Sequence, residues 1–277
     1  MAGHTKAVPP HTAEGLAEVL RPLTDAPEKA AIFCDVDGTL APIVERPDDA
    51  RVPDDTARVL AVLGRRYRCV ACVSGRGASD ARRLVGVGAI VYAGAHGAEL
   101  LHPGMTRPDV APDFAAAGEP VRRLALAVDE TELRELKLRR EDKGPIVAFH
   151  WREAEDEEAA RERVAAIAAD AERAGLIAHW GRKVLEVRPA VAIDKGRAVR
   201  RLVSEYGVRT ALFGGDDTTD VDAFRALEEL VADGQLDSAV RVGVLSDETP
   251  EGIVERADLT VDGVGGFARV LAALAEA

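Results

Sequence analysis

Cysteine, long apolar runs and positive charge are all in short supply in this chain. The three cysteines, Cys34, Cys69 and Cys72, are too few to staple a fold, and an odd count suits a reducing compartment. Cys69 and Cys72 form a CxxC pair, which as a zinc or redox site would need a second ligand pair or a helix start. They lie instead in Arg68-Cys69-Val70-Ala71-Cys72-Val73, a run that predicts a buried strand with the two thiols on opposite faces. No apolar stretch approaches the length of a membrane span. The first residues, with Pro9, Pro10, His11 and Glu14, show no apolar core of a signal peptide, so a cytoplasmic location is expected. Lys and Arg number 36 against 48 Asp and Glu, a formal net charge of -12. Attraction to phosphate polymers needs a basic surface, so neither nucleic acid nor an anionic membrane is expected as a partner. A small phosphate is still compatible, where a metal ion and a few local cations invert the field.

At 277 residues and 47% hydrophobic content, the chain can bury a core as one large domain or two modest ones. Residues 1–12 read as a flexible arm. From Thr12 the pattern predicts a helix to Leu23, a strand ending at Asp35, a loop through Pro47-Asp48-Asp49, a helix over 54–63, a strand over 69–73, a helix over 78–84 and a strand over 89–93. Strand and helix alternating at this spacing predict an α/β fold, a parallel sheet covered by helices. Between about His102 and Pro189 the pattern changes. A helix over 119–128 precedes a hairpin with strands at 135–140 and 146–151 around a Lys143-Gly144 turn. A charged helix over 155–174, ended by Gly175, precedes a second hairpin over 176–180 and 183–187 around Gly181-Arg182. Residues 104–188 thus predict an antiparallel α+β module, with Trp180 in its core. Helices over 194–206, 221–231 and 266–275 and strands over 210–213 and 239–244 restore the first pattern, so 13–103 and 189–277 are expected to form one discontinuous domain.

Candidate chemistry gathers at strand ends. The run Ala31-Ile32-Phe33-Cys34 leads into Asp35-Val36-Asp37-Gly38-Thr39, placing carboxylates where open α/β sheets bind ligands. Asp35 and Asp37 need not share an environment; one can be a nucleophile while the other works as acid and base. A calcium loop would need glycine at its sixth place, and Gly38 stands fourth. Carboxylates recur after a second strand as Asp216, Asp217 and Asp220. Two such sets converging suit a hard divalent cation, and magnesium prefers one or two carboxylates with water and a substrate phosphate. Ser74 and Gly75 offer a hydroxyl and backbone N–H groups at a helix start. Lys195 offers a point charge that would screen Asp35 from Asp216.

This series, Asp35-Val36-Asp37-Gly38-Thr39, Ser74-Gly75-Arg76, Lys195-Gly196 and Gly215-Asp216-Asp217-Thr218-Thr219-Asp220, resembles the haloacid dehalogenase superfamily of phosphohydrolases. That implies a Rossmann-like core, and the inserted module resembles the superfamily's larger α+β cap. Gly94-Ala95-His96-Gly97-Ala98-Glu99 and Lys183-Val184-Leu185-Glu186-Val187-Arg188-Pro189 resemble its trehalose-6-phosphate phosphatase branch. The resemblance implies a Mg2+-dependent phosphoric monoester hydrolase acting on a small sugar phosphate, trehalose 6-phosphate. By that resemblance Asp35 attacks phosphorus, Asp37 protonates the leaving sugar oxygen and then activates water, and Thr39, Ser74 and Lys195 serve the phosphoryl group. Asp35, the Asp37 carbonyl and Asp216 would bind metal, with Asp217 and Asp220 in support. Gly75, Arg76 and His96 are expected near the substrate, and Glu141, Lys143, Arg152, Lys183 and Glu186 at the sugar. Charged pairs of that kind suit a disaccharide, which has many hydroxyls and little apolar surface. Trp151 and Val221 depart from the family, which commonly has tyrosine and an acidic residue there. His96 and His150 lack metal-ligand spacing. A monomer is expected. The alternatives are phosphatases of sucrose phosphate or mannosylglycerate phosphate, a phosphomutase, and a sugar-phosphate sensor with a dead site.

Overall fold

Helix α1 (Ala13–Thr24) buries Leu20 and Leu23 and leads into β1 (Ala30–Cys34). Every residue of β1 is buried, as a strand covered on both faces requires. The chain continues through α2 (Asp54–Arg66), β2 (Cys69–Val73), α3 (Ala78–Val85), β3 (Val91–Gly94), β4 (Glu99–Leu101) and β5 (Asp109–Val110). The computed structural model describes residues 13–44, 49–142, 145–181, 183–190, 194–247 and 249–277. The expected arm at 1–12 and the Pro47-Asp48 and Lys143-Gly144 turns lie outside them. Contacts group the chain into two units, Met1–Asp109 with Ile193–Ala277, and Val110–Ala192.

The second unit holds α4 (Pro112–Ala127), α5 (Glu130–Glu135), β6 (Arg139–Asp142), β7 (Val147–His150), α6 (Glu157–Arg173), β8 (Ile177–Gly181) and β9 (Val184–Arg188). The first unit resumes with α7 (Lys195–Tyr206), β10 (Thr210–Gly215), α8 (Asp220–Ala232), β11 (Ser238–Leu245), α9 (Glu251–Arg256), β12 (Leu259–Asp262) and α10 (Gly263–Glu276). Among the described residues, no helix is long and apolar enough to cross a membrane.

One eight-stranded sheet runs in the order β12-β11-β10-β1-β2-β3-β4-β5. β1 lies parallel between β10 and β2, and β3 pairs antiparallel with β4. Alternation along β2 sends Cys69 to the layer of Phe33 and Phe213, and Cys72 to the layer of Ile32 and Phe267. The CxxC pair is therefore two buried thiols on opposite faces, as the strand pattern predicts. Three short elements, β4, α9 and β12, escape the periodicity argument, because stretches of this length contain too few residues to show a period.

The second sheet is antiparallel, in the order β6-β7-β9-β8. One face, with Val147, Phe149, Leu185 and Val187, packs against α4 and α6 around Val121, Val164 and Ile167. Three local expectations change here. Helix α4 begins at Pro112 and runs through Pro120, ahead of the start expected at 119. A Cβ on Gly118 would lie 2.7 Å from Pro145, so glycine lets the helix press onto that segment. The strand expected from 135 begins only at Arg139: Glu135 ends helix α5, which Asp129 caps by accepting from the Thr131 amide at 2.7 Å, and a turn over 136–138 follows. Trp180 does not fill the core: it is 45% exposed, its ring edge-on to buried Trp151.

Truncating Phe149 to Ala removes a fully buried ring, and a loss of about 3–5 kcal/mol is expected in denaturant titration. Trp180→Ala is expected to cost under about 1.5 kcal/mol, the worth of one partly exposed aromatic pair.

Candidate active site

The parallel pairing of β1 with β10 sets two chain segments side by side at their carboxyl ends. The ladder extends one step past β1, with the Asp35 amide donating to Gly214 O at 2.9 Å, so Asp35 emerges beside Gly215, one residue before Asp216. The chain then turns at Gly38, whose φ of +86° favours glycine. A Cβ at this position would also stand 2.0 Å from Asp216 Oδ2. Both constraints require glycine for the turn to bring Thr39 inward. The buried Thr39 hydroxyl donates to Asp216 Oδ1 at 2.7 Å.

Between the carboxylates stands Lys195, the first residue of α7, 2% exposed. Its Nζ donates to Asp35 Oδ1 and to Asp220 Oδ1, each at 2.7 Å, and lies 3.9 Å from Asp217 Oδ1. The lysine therefore bridges Asp35 to Asp220 directly. Asp220 Oδ2 accepts the amides of Asp216 and Asp217, at 2.9 and 3.0 Å. Asp217 Oδ1 is taken by the amide and hydroxyl of Thr219, both at 2.7 Å. Asp35, Asp216 and Asp220 each bring a carboxylate oxygen within 4.8 Å of the others, and among the described residues no other such group of acids, His or Cys occurs. The side chains of Asp37 and Asp217 lie outside it. Burial raises the Asp35 carboxyl well above its usual range, against the pull of Lys195, and lifts Asp216 to about 7. Burial also opposes charge on Lys195, but Asp220, Asp35 and Asp217 outweigh it and hold the ammonium protonated.

Asp37, two residues on, meets a different partner. Arg76 grips it with two bonds, Nε to Oδ2 at 2.7 Å and a terminal nitrogen to Oδ1 at 2.6 Å. Ser74, at the end of β2, is buried, and its hydroxyl accepts the Arg76 amide at 3.1 Å. The helix α3 begins at Ala78, as expected, so Ser74 and Gly75 lie before its first turn, and its first amide goes to Glu99 Oε2 at 2.8 Å. The His96 ring lies over Gly75, 2.8 Å from where a Cβ would be.

The proposed sugar residues spread through the second unit. Glu141 on β6 meets His150 Nε2 at 2.7 Å. Glu186 on β9 accepts from Arg188 Nε at 3.0 Å. Lys183, just before β9, pairs with Glu157 at 2.8 Å on the surface, and Arg152 is exposed in the turn after β7. Lys143 lies outside the described residues. Register places Glu141, Ala148, Glu186 and His179 in one row across the sheet, with Arg139 and His150 in the next. Arg139, His150, His179 and Arg188 went unassigned in the sequence, yet the spacing of two in Arg139-Glu141 and Glu186-Arg188 marks shared faces.

Comparison with known proteins agrees with this geometry. Residues 33–252 match the family model described as Trehalose-phosphatase. The chain is 39% identical over 207 residues to the trehalose-phosphate phosphatase of Mycobacterium avium, an alignment spanning 71% of this chain and 51% of that protein. It thus spans about half the length of this curated relative. Among solved structures, a trehalose-6-phosphate phosphatase related protein superposes with a TM-score of 0.66 at 24% identity, covering 89% of this chain and 97% of the other. A haloacid dehalogenase-like hydrolase from Bacteroides thetaiotaomicron gives 0.59 at 13% identity, over 88% and 98%. These likenesses show the haloacid dehalogenase fold. The match over 33–252, together with the relative's identity, shows that this chain belongs to the trehalose-phosphatase family.

Proposed function

We propose that this chain hydrolyses trehalose 6-phosphate to trehalose and phosphate through a phosphoryl group carried on Asp35. The observation that supports it best is the bridge from Lys195 to Asp35 and Asp220, beside Asp216, at the ends of two adjacent strands. It sets the buried Asp35 carboxyl directly against the Lys195 ammonium, a setting that suits a nucleophile. Three oxygen donors within 4.8 Å of one another fit a hard cation such as Mg2+. Among these acids Asp35 Oδ2 and Asp216 Oδ2 accept no hydrogen bond from described residues, so Asp35 and Asp216 would hold the ion, with Thr39 fixing the Asp216 carboxylate. When bound, Mg2+ would offset the charge of the phosphoryl oxygens.

In the first step a carboxylate oxygen of Asp35 bonds to phosphorus as the bond from phosphorus to the sugar oxygen breaks. Asp37 gives that oxygen its proton. In the second, Asp37 takes a proton from water, whose oxygen attacks phosphorus, and the Asp35 carboxylate and inorganic phosphate are released. Ser74 and Lys195 stand at neighbouring strand and helix ends to contact the phosphoryl oxygens. In the second unit, Glu141 and Glu186, with Arg139, His150 and Arg188 on the same face, offer charge-assisted bonds to sugar hydroxyls. The chain's acidic balance supports a small-molecule substrate.

Phosphate release from a panel of sugar phosphates, with Mg2+ and with chelator, tests the reading. Trehalose 6-phosphate is expected to turn over fastest and chelator to abolish turnover; equal rates on glucose 6-phosphate would refute the specificity, and faster release from sucrose phosphate would reassign it. Asp35→Asn is expected to lower kcat by at least about a thousandfold with folding intact. Lys195→Met, which leaves Asp35 and Asp220 buried without their cation, is expected to cost about 3–5 kcal/mol of stability at neutral pH. Burial raises both carboxyls, so the folded variant binds protons that the unfolded chain lacks. Its deficit should shrink as pH falls, read by denaturant melts across pH.

A further inference from the structure

The loop that carries Ser74 and Arg76 is clasped by the segment after β3. The Ala95 amide donates to Arg76 O at 2.8 Å, and the His96 amide to Ser74 O at 3.0 Å. To reach these carbonyls Ala95 and His96 adopt φ of +47° and +54°, a left-handed conformation that costs side-chain-bearing residues roughly 1–3 kcal/mol each. Two consecutive residues hold such a shape only where surrounding contacts enforce it. The clasp ends at Glu99, buried at the start of β4, whose one partner among the described residues is the Ala78 amide, 2.8 Å from Oε2. Ala78 opens α3, and Arg76 lies two residues before it. A carboxylate at a helix N-terminus satisfies an otherwise unpaired amide and complements the helix dipole. Burial raises the Glu99 carboxyl above its ordinary range, which the Ala78 amide partly offsets. A buried acid retained at this cost points to a task beyond solubility.

We infer that Glu99 is a positioning residue, which by capping α3 at Ala78 fixes the loop from which the Arg76 side chain departs and so holds the two-bonded Arg76–Asp37 pair in place. Its effect on rate rests on the reading of Asp37 as acid and base. Glu99 touches none of the reacting groups itself; it acts through Arg76.

The test compares the wild-type protein with Glu99→Ala, Glu99→Gln, Arg76→Ala and the double variant Glu99→Ala/Arg76→Ala. Glu99→Ala is expected to lower kcat about tenfold, the effect of slight misplacement of a working group. Glu99→Gln, whose amide oxygen can still accept from Ala78, is expected to recover most of it. In the Arg76→Ala background, Glu99→Ala should cost nothing further. An unchanged kcat in Glu99→Ala, or equal losses in both backgrounds, would overturn the inference. A second readout needs no turnover: the Arg76 Nε–H resonance in NMR should be protected from exchange in the wild-type and Glu99→Gln proteins and exposed in Glu99→Ala. Its protection in Glu99→Ala would also overturn the inference. Should the wild-type protein release no phosphate from any sugar phosphate, the reading of Asp37 fails, and this resonance still decides the positional link. If Glu99→Ala does not fold, Glu99→Asp, one methylene too short to reach Ala78, takes its place under the same expectations.

Discussion

A buried ammonium has no water to solvate it, so it must be surrounded by acceptors supplied by the fold itself. Lys195 meets that condition with Asp35 from the end of β1 and Asp220 from the start of α8, each 2.7 Å away. The bargain is mutual, because neither carboxylate would stay ionised at such depth without the cation. Much of the first unit follows from this demand. β10 must lie beside β1, α7 must begin beneath both, and the Gly215–Asp220 turn must fold back until the Asp216 and Asp217 amides reach Asp220. Gly38 and Thr39 complete the arrangement, one by lacking a Cβ and the other by donating to Asp216. The order of the central strands and the chemistry of the site are consequences of one charge balance.

Around that centre the polar residues fall into separate tasks. Asp37 shares a motif with Asp35 but not an environment, since both its oxygens go to Arg76. The carbonyls of Arg76 and Ser74 in turn accept from the Ala95 and His96 amides, and Glu99 accepts from the Ala78 amide two residues after Arg76. In the proposed mechanism the proton-transfer group is thereby set by hydrogen bonds, and the nucleophile by charge. In the second unit, alternation along the antiparallel strands puts Phe149 and Leu185 into a core and leaves Glu141 and Glu186 on the opposite face, either side of the small Ala148. One apolar face and one polar face follow directly from that alternation.

The apolar run ending at Asp35, the strand around Cys69 and Cys72 and the hairpins flanking α6 were legible because each depends on residues close in sequence. The acids at 35, 216 and 220 were legible as a set because each follows a strand, and parallel strands bring their ends to one edge. Other assignments had no local trace. The hydrogen bond from the Thr39 hydroxyl to Asp216, 177 residues away, is one. Ser74-Gly75 reads as the source of the helix-start amides, but the first amide of α3 is that of Ala78 and belongs to Glu99. Trp180 reads as core by composition and lies half-exposed on an edge strand. The helix at Glu130–Glu135 did carry a local signal, the Asp129 cap.

By itself, then, the amino-acid sequence determined the two kinds of sheet, the inventory of reactive groups and the strand ends on which they sit, since periodicity, turn chemistry and side-chain type act within a few residues. Only the tertiary structure decided which carboxylate Lys195 neutralises, which oxygen Thr39 holds, that Arg76 closes on Asp37 and that Glu99 stands behind it. Those choices turn on strand register and on distances of 2.6–2.8 Å between groups 21 to 177 residues apart, and nothing in the local chain encodes a pairing made at that range.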